Sequence, residues 1–255
     1  MSIIIGSARI DENGKVSGGK AGDQKQTSSA NDTKGEVSMQ TMYKHSKGWL
    51  VFRPKAVAVA TQNAEEMKNA CNNAHIGYDQ GQRTSLWNYV IKKVIKSLAK
   101  VETDVEVDCS ELIRTIIYIV TGKDIGDITT ANEADALKKS GLFEEPFEYE
   151  SQEKTPVYDG DVLVTKTKGH TAIVVSGNPR TSESTTTTSG TKCYAKYTGS
   201  SNSIVDALAA VGETDTSKSH RTKIAKANGI SGYSGTAEEN TKLLKLLKSG
   251  KLVKA

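Results

Sequence analysis

The sequence predicts an α+β domain followed by a small, mainly helical one, and three observations carry this. Short β-type apolar runs stand towards both ends of the first 179 residues, with segments of helical period between them. The stretch GNPRTSESTTTTSGTK (177–192) is nearly without apolar residues, so it cannot bury enough surface to offset its ordering entropy. Beyond it the apolar spacing is helical only. These place a first domain at 1–179, a linker at 180–192 and a second domain at 193–255.

In chain order, EVSMQTMY and GWLVFRP are candidate strands, preceded by a long polar loop at 14–36 without apolar period. In AEEMKNACNNA, Met67, Ala70, Cys71 and Ala74 fall on one helix face, which assigns Cys71 to a core. A second helix is expected over TSLWNYVIKKVIKSLAK. A third follows Cys109, where Ile113, Ile116, Ile117 and Val120 repeat at helical spacing and Gly122 supplies the stop. TANEADALKKSGLF reads as another helix ending near a glycine. GDVLVTKTKGHTAIVVSG reads as two strands joined by a Lys/Gly turn, with His170 opening the second.

Composition narrows the function. No run approaches the roughly 18 apolar residues of a membrane span. The start, MSIIIGSARIDENG, lacks the basic and apolar regions of a signal peptide, so the chain is expected to be made in the cytoplasm. Three cysteines, Cys71, Cys109 and Cys193, with no CxxC pair and four scattered histidines, support neither a disulfide framework nor a metal site. No metal and no cofactor is expected, and a chelator ought to leave activity unchanged.

The EVDCSELIR stretch holds the candidate nucleophile. Asp108 or Cys109 falls near a helix N-cap, where unpaired N–H groups and the dipole favour a thiolate. A helix-end core cysteine fits the same spacing. His170, at the rim of a strand whose Ala172 and Val174 share its face, is the candidate base.

VDCSELIR, followed by GDVLVTKTKGHTAIVV, resembles the NlpC/P60 and CHAP group of papain-like peptidoglycan hydrolases. The chain is still more similar to clostridial phage endolysins, through GGKAGDQ, WLVFR, IGYDQGQR, DCSELIR, TANEA and GDVLVTKTKGHT, in order over 5–178. The resemblance implies a papain-like fold with Cys109 as nucleophile and His170 as base. It implies that Tyr78 touches substrate or oxyanion, with Asp108 and Ser110 beside it. A third polar group should orient the imidazole, usually from the strand after the histidine. No such strand follows here, which leaves Asn178 in the turn, or Asp23 or Gln24 from the N-terminal segment. If thiolate and imidazolium work as a pair, activity should fall on both the acidic and alkaline sides.

Residues 192–255 carry eleven Lys/Arg and five Asp/Glu, a charge of +6 against −2 for the rest. A cationic tail on a near-neutral body suits a polyanionic surface. Three short helices are expected: IVDALAAVG capped by Ser203, KSHRTKIAKANG, and TAEENTKLLKLLKSG. In the last, Leu243, Leu244, Leu246 and Leu247 face inward and Lys242, Lys245 and Lys248 line one side. The segment Tyr197–Leu252 resembles a cell-wall-binding module of clostridial phage lysins. The tail has only Tyr194, Tyr197 and Tyr233 as aromatics, too few for a base-stacking surface, so nucleic acid is not an expected partner. Stable membrane insertion is not expected either. Expected partners are peptidoglycan and teichoic acid, with oligomerisation as the alternative use of the tail. The chain thus reads as an endolysin cutting a peptidoglycan amide bond, with a non-catalytic wall-binding protein on the same scaffold as the alternative.

Overall fold

The computed structural model describes residues 2–27, 31–180, 193–230 and 232–254. The chain divides into two compact units, Met1–Thr186 and Thr187–Ala255, each with its own core. Apart from Arg180, the expected linker lies outside the described residues.

The first unit is α+β. Its main sheet has six antiparallel strands: β1 (Ile4–Ala8), β2 (Val37–Thr41), β3 (Trp49–Phe52), β6 (Phe147–Glu148), β7 (Val162–Thr165) and β8 (Thr171–Ser176), in the order β2-β1-β8-β7-β3-β6. A separate parallel pair joins β4 (Ile76–Tyr78) to β5 (Val105–Val107). The helices are α1 (Val57–Cys71), α2 (Ser85–Lys93), α3 (Cys109–Thr121) and α4 (Glu133–Ser140). Met67, Ala70 and Cys71 of α1 and Ile113, Ile116 and Ile117 of α3 share one core with Ile173 and Val175. Alternation sends Ala172 and Val174 to the other face, against Ile5 and Trp49.

The four expected strands and the buried Cys71 are found where the periodicity puts them. Helix α3 ends on Gly122 and α4 on Gly141, both at positive φ. Besides β4, β5 and β6, which the sequence reading leaves unassigned, and α1, which ends at Cys71 and so leaves Ala74 exposed outside the helix face expected to include it, two elements differ. The expected helix over 84–100 stops at Lys93, because Val94 takes φ 54°, and resumes only as a 3₁₀ turn at Leu98–Lys100. That turn is held from outside by the buried Glu66 carboxylate, which accepts the Leu98 N–H at 2.7 Å. The second difference is β1, which the sequence reading leaves unassigned and which lies near the middle of the sheet. Gly6 makes this position possible: a Cβ there would lie 2.5 Å from Met67 Cγ of α1.

The second unit holds α5 (Ile204–Ala210), α6 (Lys218–Ala227) and α7 (Ala237–Lys248), the three expected helices. Each starts on a hydroxyl cap, Ser203, Ser217 or Thr236, the last in a capping box with Glu239. Their apolar faces meet at Leu208, Ile224, Leu243 and Leu247, closed by Tyr194, Tyr233 and Leu252. Leu246 is only partly buried, and Lys242 and Lys245 are exposed.

Candidate active site

Helix α3 begins at Cys109. Asp108 is its N-cap, with Oδ1 accepting from Glu111 N–H at 2.7 Å and from Ser110 Oγ at 2.9 Å. Its other oxygen accepts from Arg83 Nε at 2.7 Å. Arg83 of the IGYDQGQR run and Arg114 of DCSELIR both bind Glu111, at 3.2 and 2.8 Å, and Glu111 is fully buried. Arg114 also lies 3.8 Å over the Trp87 ring. Two separate sequence motifs therefore serve one ion network that clamps the start of the helix. Asp108 and Ser110 line the cleft; both Asp108 oxygens carry the bonds above, and Ser110 spends its hydroxyl proton on Asp108.

Cys109 is 9% exposed and lines a cleft with Gln80, Arg83, Thr129, Thr130, Lys168 and Gly169. The expected depression of its pKa is not found. Burial pushes the thiol up to about 12, with Asp108 and Glu133 adding to the shift. The N–H groups of Thr171 and Ser110 oppose it without prevailing. Desolvation of a nearly enclosed sulfur outweighs the helix terminus, whose cap is itself a carboxylate. Glu133, on the first turn of α4, is a buried carboxyl that the sequence reading missed. Burial holds it well above the ordinary carboxylate range, and Thr171 Oγ1 lies 2.7 Å from its Oε1.

His170 stands just before β8. Its N–H donates to Thr165 Oγ1 at 2.9 Å and its carbonyl accepts from Thr165 N–H at 3.0 Å, which closes the turn. The ring packs on Trp49, centroids 6.4 Å apart, and Trp49 in turn meets Tyr43 and His45. Burial lowers the imidazole to about 4, with His45 and Arg9 adding to the shift, so it is neutral near pH 7. Nε2 lies 3.1 Å from Ser7 Oγ, and Nδ1 is left without a hydrogen-bond partner among the described residues.

Neither Asn178 nor Asp23, the two third-residue candidates, reaches the imidazole. Asn178 Nδ2 donates to Val157 O at 2.8 Å. Asp23 accepts from the N–H groups of Lys25 and Val37, and Gln24 Nε2 donates to Ala21 O and Gly22 O. The place of the missing strand after β8 is taken by β1, which pairs antiparallel with β8 and brings Ser7 to the ring.

Cys109 and His170 come to one end of the sheet. Thr171, next to His170, turns its N–H to the sulfur, and charge on Cys109 acts on both Tyr43 and Tyr78. No direct hydrogen bond joins the sulfur to the imidazole among the described residues. Such contacts commonly tighten only when substrate binds. Tyr78 is buried, its OH accepts from Gln80 Nε2 at 2.9 Å, and burial pushes its phenol up to about 12. No group of three His, Cys, Asp or Glu placed to hold a metal is present among the described residues.

A family model described as an endolysin-like domain matches residues 5–181, a span that includes every residue of this cleft. No curated protein and no solved structure matches the chain.

Proposed function

Because the chain belongs to the endolysin-like domain family, we propose that it is a phage or prophage endolysin that hydrolyses a peptidoglycan amide bond, with Cys109 as nucleophile and His170 as base. One observation carries this reading. A cysteine at the first position of a helix lies against β8, the strand that a histidine immediately precedes, and a second strand holds that histidine. An NlpC/P60-type, papain-like relationship belongs to the same proposal, as does action at the wall after release from the cytoplasm.

The chemistry follows from the protonation states. Thiol and imidazole rest neutral, so attack of Sγ on the carbonyl carbon and transfer of the thiol proton to His170 Nδ1 proceed together. In this mechanism Ser7 Oγ serves as the acceptor for Nε2–H, which leaves Nδ1 free to take the thiol proton. The Cys109 N–H, which has no intrahelical partner at this position, and Tyr78 face the developing oxyanion. His170 returns the proton to the leaving amine, and water then releases the acyl group from sulfur with the imidazole again as base.

This predicts a pH profile unlike that of an ion pair. On a soluble muropeptide, kcat/KM should hold from neutrality down towards pH 4, where His170 protonates, and should not decline between pH 7 and 9. A bell centred near neutrality would show a thiolate–imidazolium pair instead. The sign for stability is the same. The unfolded chain binds the histidine proton below about 6.5, while the folded one excludes it until about 4, so stability drops as pH falls across that window. Ser7→Ala should lower kcat about 5- to 10-fold, the worth of one hydrogen bond of about 1 kcal/mol. Ser7→Thr should restore it, and KM should stay unchanged in both. An unaltered kcat in Ser7→Ala removes Ser7 from the mechanism.

We assign the second unit to wall binding, on its charge of +6 and the exposed Lys242 and Lys245. Tethering raises the local concentration of the first unit at its substrate without adding a catalytic contact. A fluorescent fusion of 193–255 should bind clostridial walls at low salt and lose binding at high salt, as attraction to teichoic acid requires. Changing Lys242, Lys245 and Lys248 together to Gln should weaken it in the same direction. No binding at either salt would remove the targeting role and leave oligomerisation as the use of this unit.

A further inference from the structure

The TANEA run (130–134) leads into α4, and the mechanism gives its glutamate no task. Two of its side chains reach the turn between β7 and β8. Thr130 Oγ1 accepts from Gly169 N–H at 3.1 Å, and Glu133 Oε1 lies 2.7 Å from Thr171 Oγ1. Gly169 and Thr171 are the two chain neighbours of His170. The start of α4 therefore holds the histidine from both sides, while Thr165 closes the turn from within the sheet.

Glu133 is fully buried, and among the described residues no cation pairs with it. The groups that act on it or feel it are Asp108 and Cys109 at the start of α3 and Thr171 on β8. Its Oε2 has no hydrogen-bond partner. Thr171 Oγ1 also lies 2.9 Å from Leu163 O. Both oxygen–oxygen contacts of Thr171 are at hydrogen-bond length, so each holds a proton. Thr171 has one hydroxyl proton and the Leu163 carbonyl has none. Thr171 gives its proton to Leu163 O, and the proton in the other contact comes from the Glu133 carboxyl itself. As a carboxylate, Glu133 would instead bury two oxygens without a donor and add a negative charge beside Asp108.

We propose that Glu133 is a positioning residue that acts as a neutral carboxylic acid: it donates to Thr171 Oγ1 and so fixes His170 and the Thr171 N–H against Cys109. The Thr171 N–H is turned to the sulfur, where it opposes the effect of burial on the thiol. Release of Thr171 would move this donor and the histidine together. The proton on Glu133 matters for charge as well. Sulfur gives up its proton during attack, and a carboxylate in this place would oppose that step. The role in positioning rests on the proposed Cys–His chemistry, but the state of the carboxyl can be read without it.

The test compares Glu133→Gln, Glu133→Ala and Thr171→Val with the wild-type full chain. Infrared difference spectra of wild type against Glu133→Gln at neutral pH should show the carbonyl band of a protonated carboxyl. Glu133→Gln can still donate to Thr171 Oγ1, so kcat on a soluble muropeptide and the rate of Cys109 alkylation by iodoacetamide should stay within about threefold of wild type. Glu133→Ala and Thr171→Val should each slow both about 5- to 10-fold, the worth of one hydrogen bond, with KM unchanged. Thr171→Val carries this comparison should Glu133→Ala not fold. Faster alkylation in Glu133→Gln would reveal a carboxylate in the wild type and overturn the proposal, and so would absence of the infrared band. Unaltered kcat and alkylation in Thr171→Val would overturn it too. Band and alkylation need no hydrolysis: if both behave as expected in a chain that cleaves no muropeptide, the brace on Cys109 stands and the hydrolysis falls.

Discussion

Cys109→Ala is expected to abolish wall lysis, with a fall of about 10⁴-fold or more in the rate on a soluble muropeptide. The reason is chemical. His170, Tyr78 and the helix terminus can assist an attack but none can replace the sulfur. Cys109→Ser should be nearly as inactive, because a serine hydroxyl is a poorer nucleophile than a thiol and this site makes no anion at rest. Both variants should keep their circular dichroism and melting temperature, since the side chain lines a cleft and is not part of the packed core. Iodoacetamide should label Cys109 well ahead of Cys71, which is enclosed by α1 and the sheet and whose thiol burial pushes far up. Cys193, partly exposed, provides the reference for an ordinary accessible thiol. Lysis retained in Cys109→Ala would sink the assignment whatever the labelling shows.

Arg53→Met should cost about 3–5 kcal/mol, the usual penalty for stranding one partner of a buried ion pair. Arg53 and Asp161 are 1% and 0% exposed, with Nη2 and Oδ2 2.9 Å apart. The guanidinium also donates to Pro156 O at 2.6 Å and lies between the Phe147 and Tyr158 rings. Burial pushes the Asp161 carboxyl up and Arg53 holds it down, so removing the arginine leaves a buried charge with only the Tyr158 N–H and the charge of Arg180 to offset it. For a unit of this size the melting temperature should drop by roughly 10 °C. The double variant Arg53→Met, Asp161→Leu should recover much of the loss, because it strands nothing. Activity of the folded fraction at low temperature should be unchanged. A single-variant loss under about 1 kcal/mol would show that water reaches the pair. The result bears on the WLVFR and GDVLV motifs together: their charged residues are one structural contact joining β3 to the start of β7, and neither belongs to the cleft.

Much of this was legible in order along the chain. Helical period, the Ser203 cap and glycine stops located α3, α4 and the three helices of the second unit, because each of those signals acts within a few residues. Strand alternation separated Ala172 and Val174 from Ile173 and Val175, and helical period placed Cys71 in the core. The position of Cys109 at a helix start was equally local, resting on Asp108 before it and the isoleucine stripe after it.

What the tertiary structure decided lies at long range. Ser7 reaches His170 across 163 residues of sequence, and nothing in IIGSA marks a strand that enters the sheet beside β8. Its glycine, Gly6, is there to admit α1, a requirement set by Met67. The protonation state of Cys109 followed the same rule. A helix N-terminus favours the thiolate, but how deeply the sulfur is buried, and that Glu133 comes near it, depend on packing between α3, α4 and β8. In the sequence Glu133 looks like ordinary surface charge on the first turn of a helix. Only the folding of α4 onto β8 buries it, because desolvation and charge repulsion depend on distance in space and not on separation along the chain.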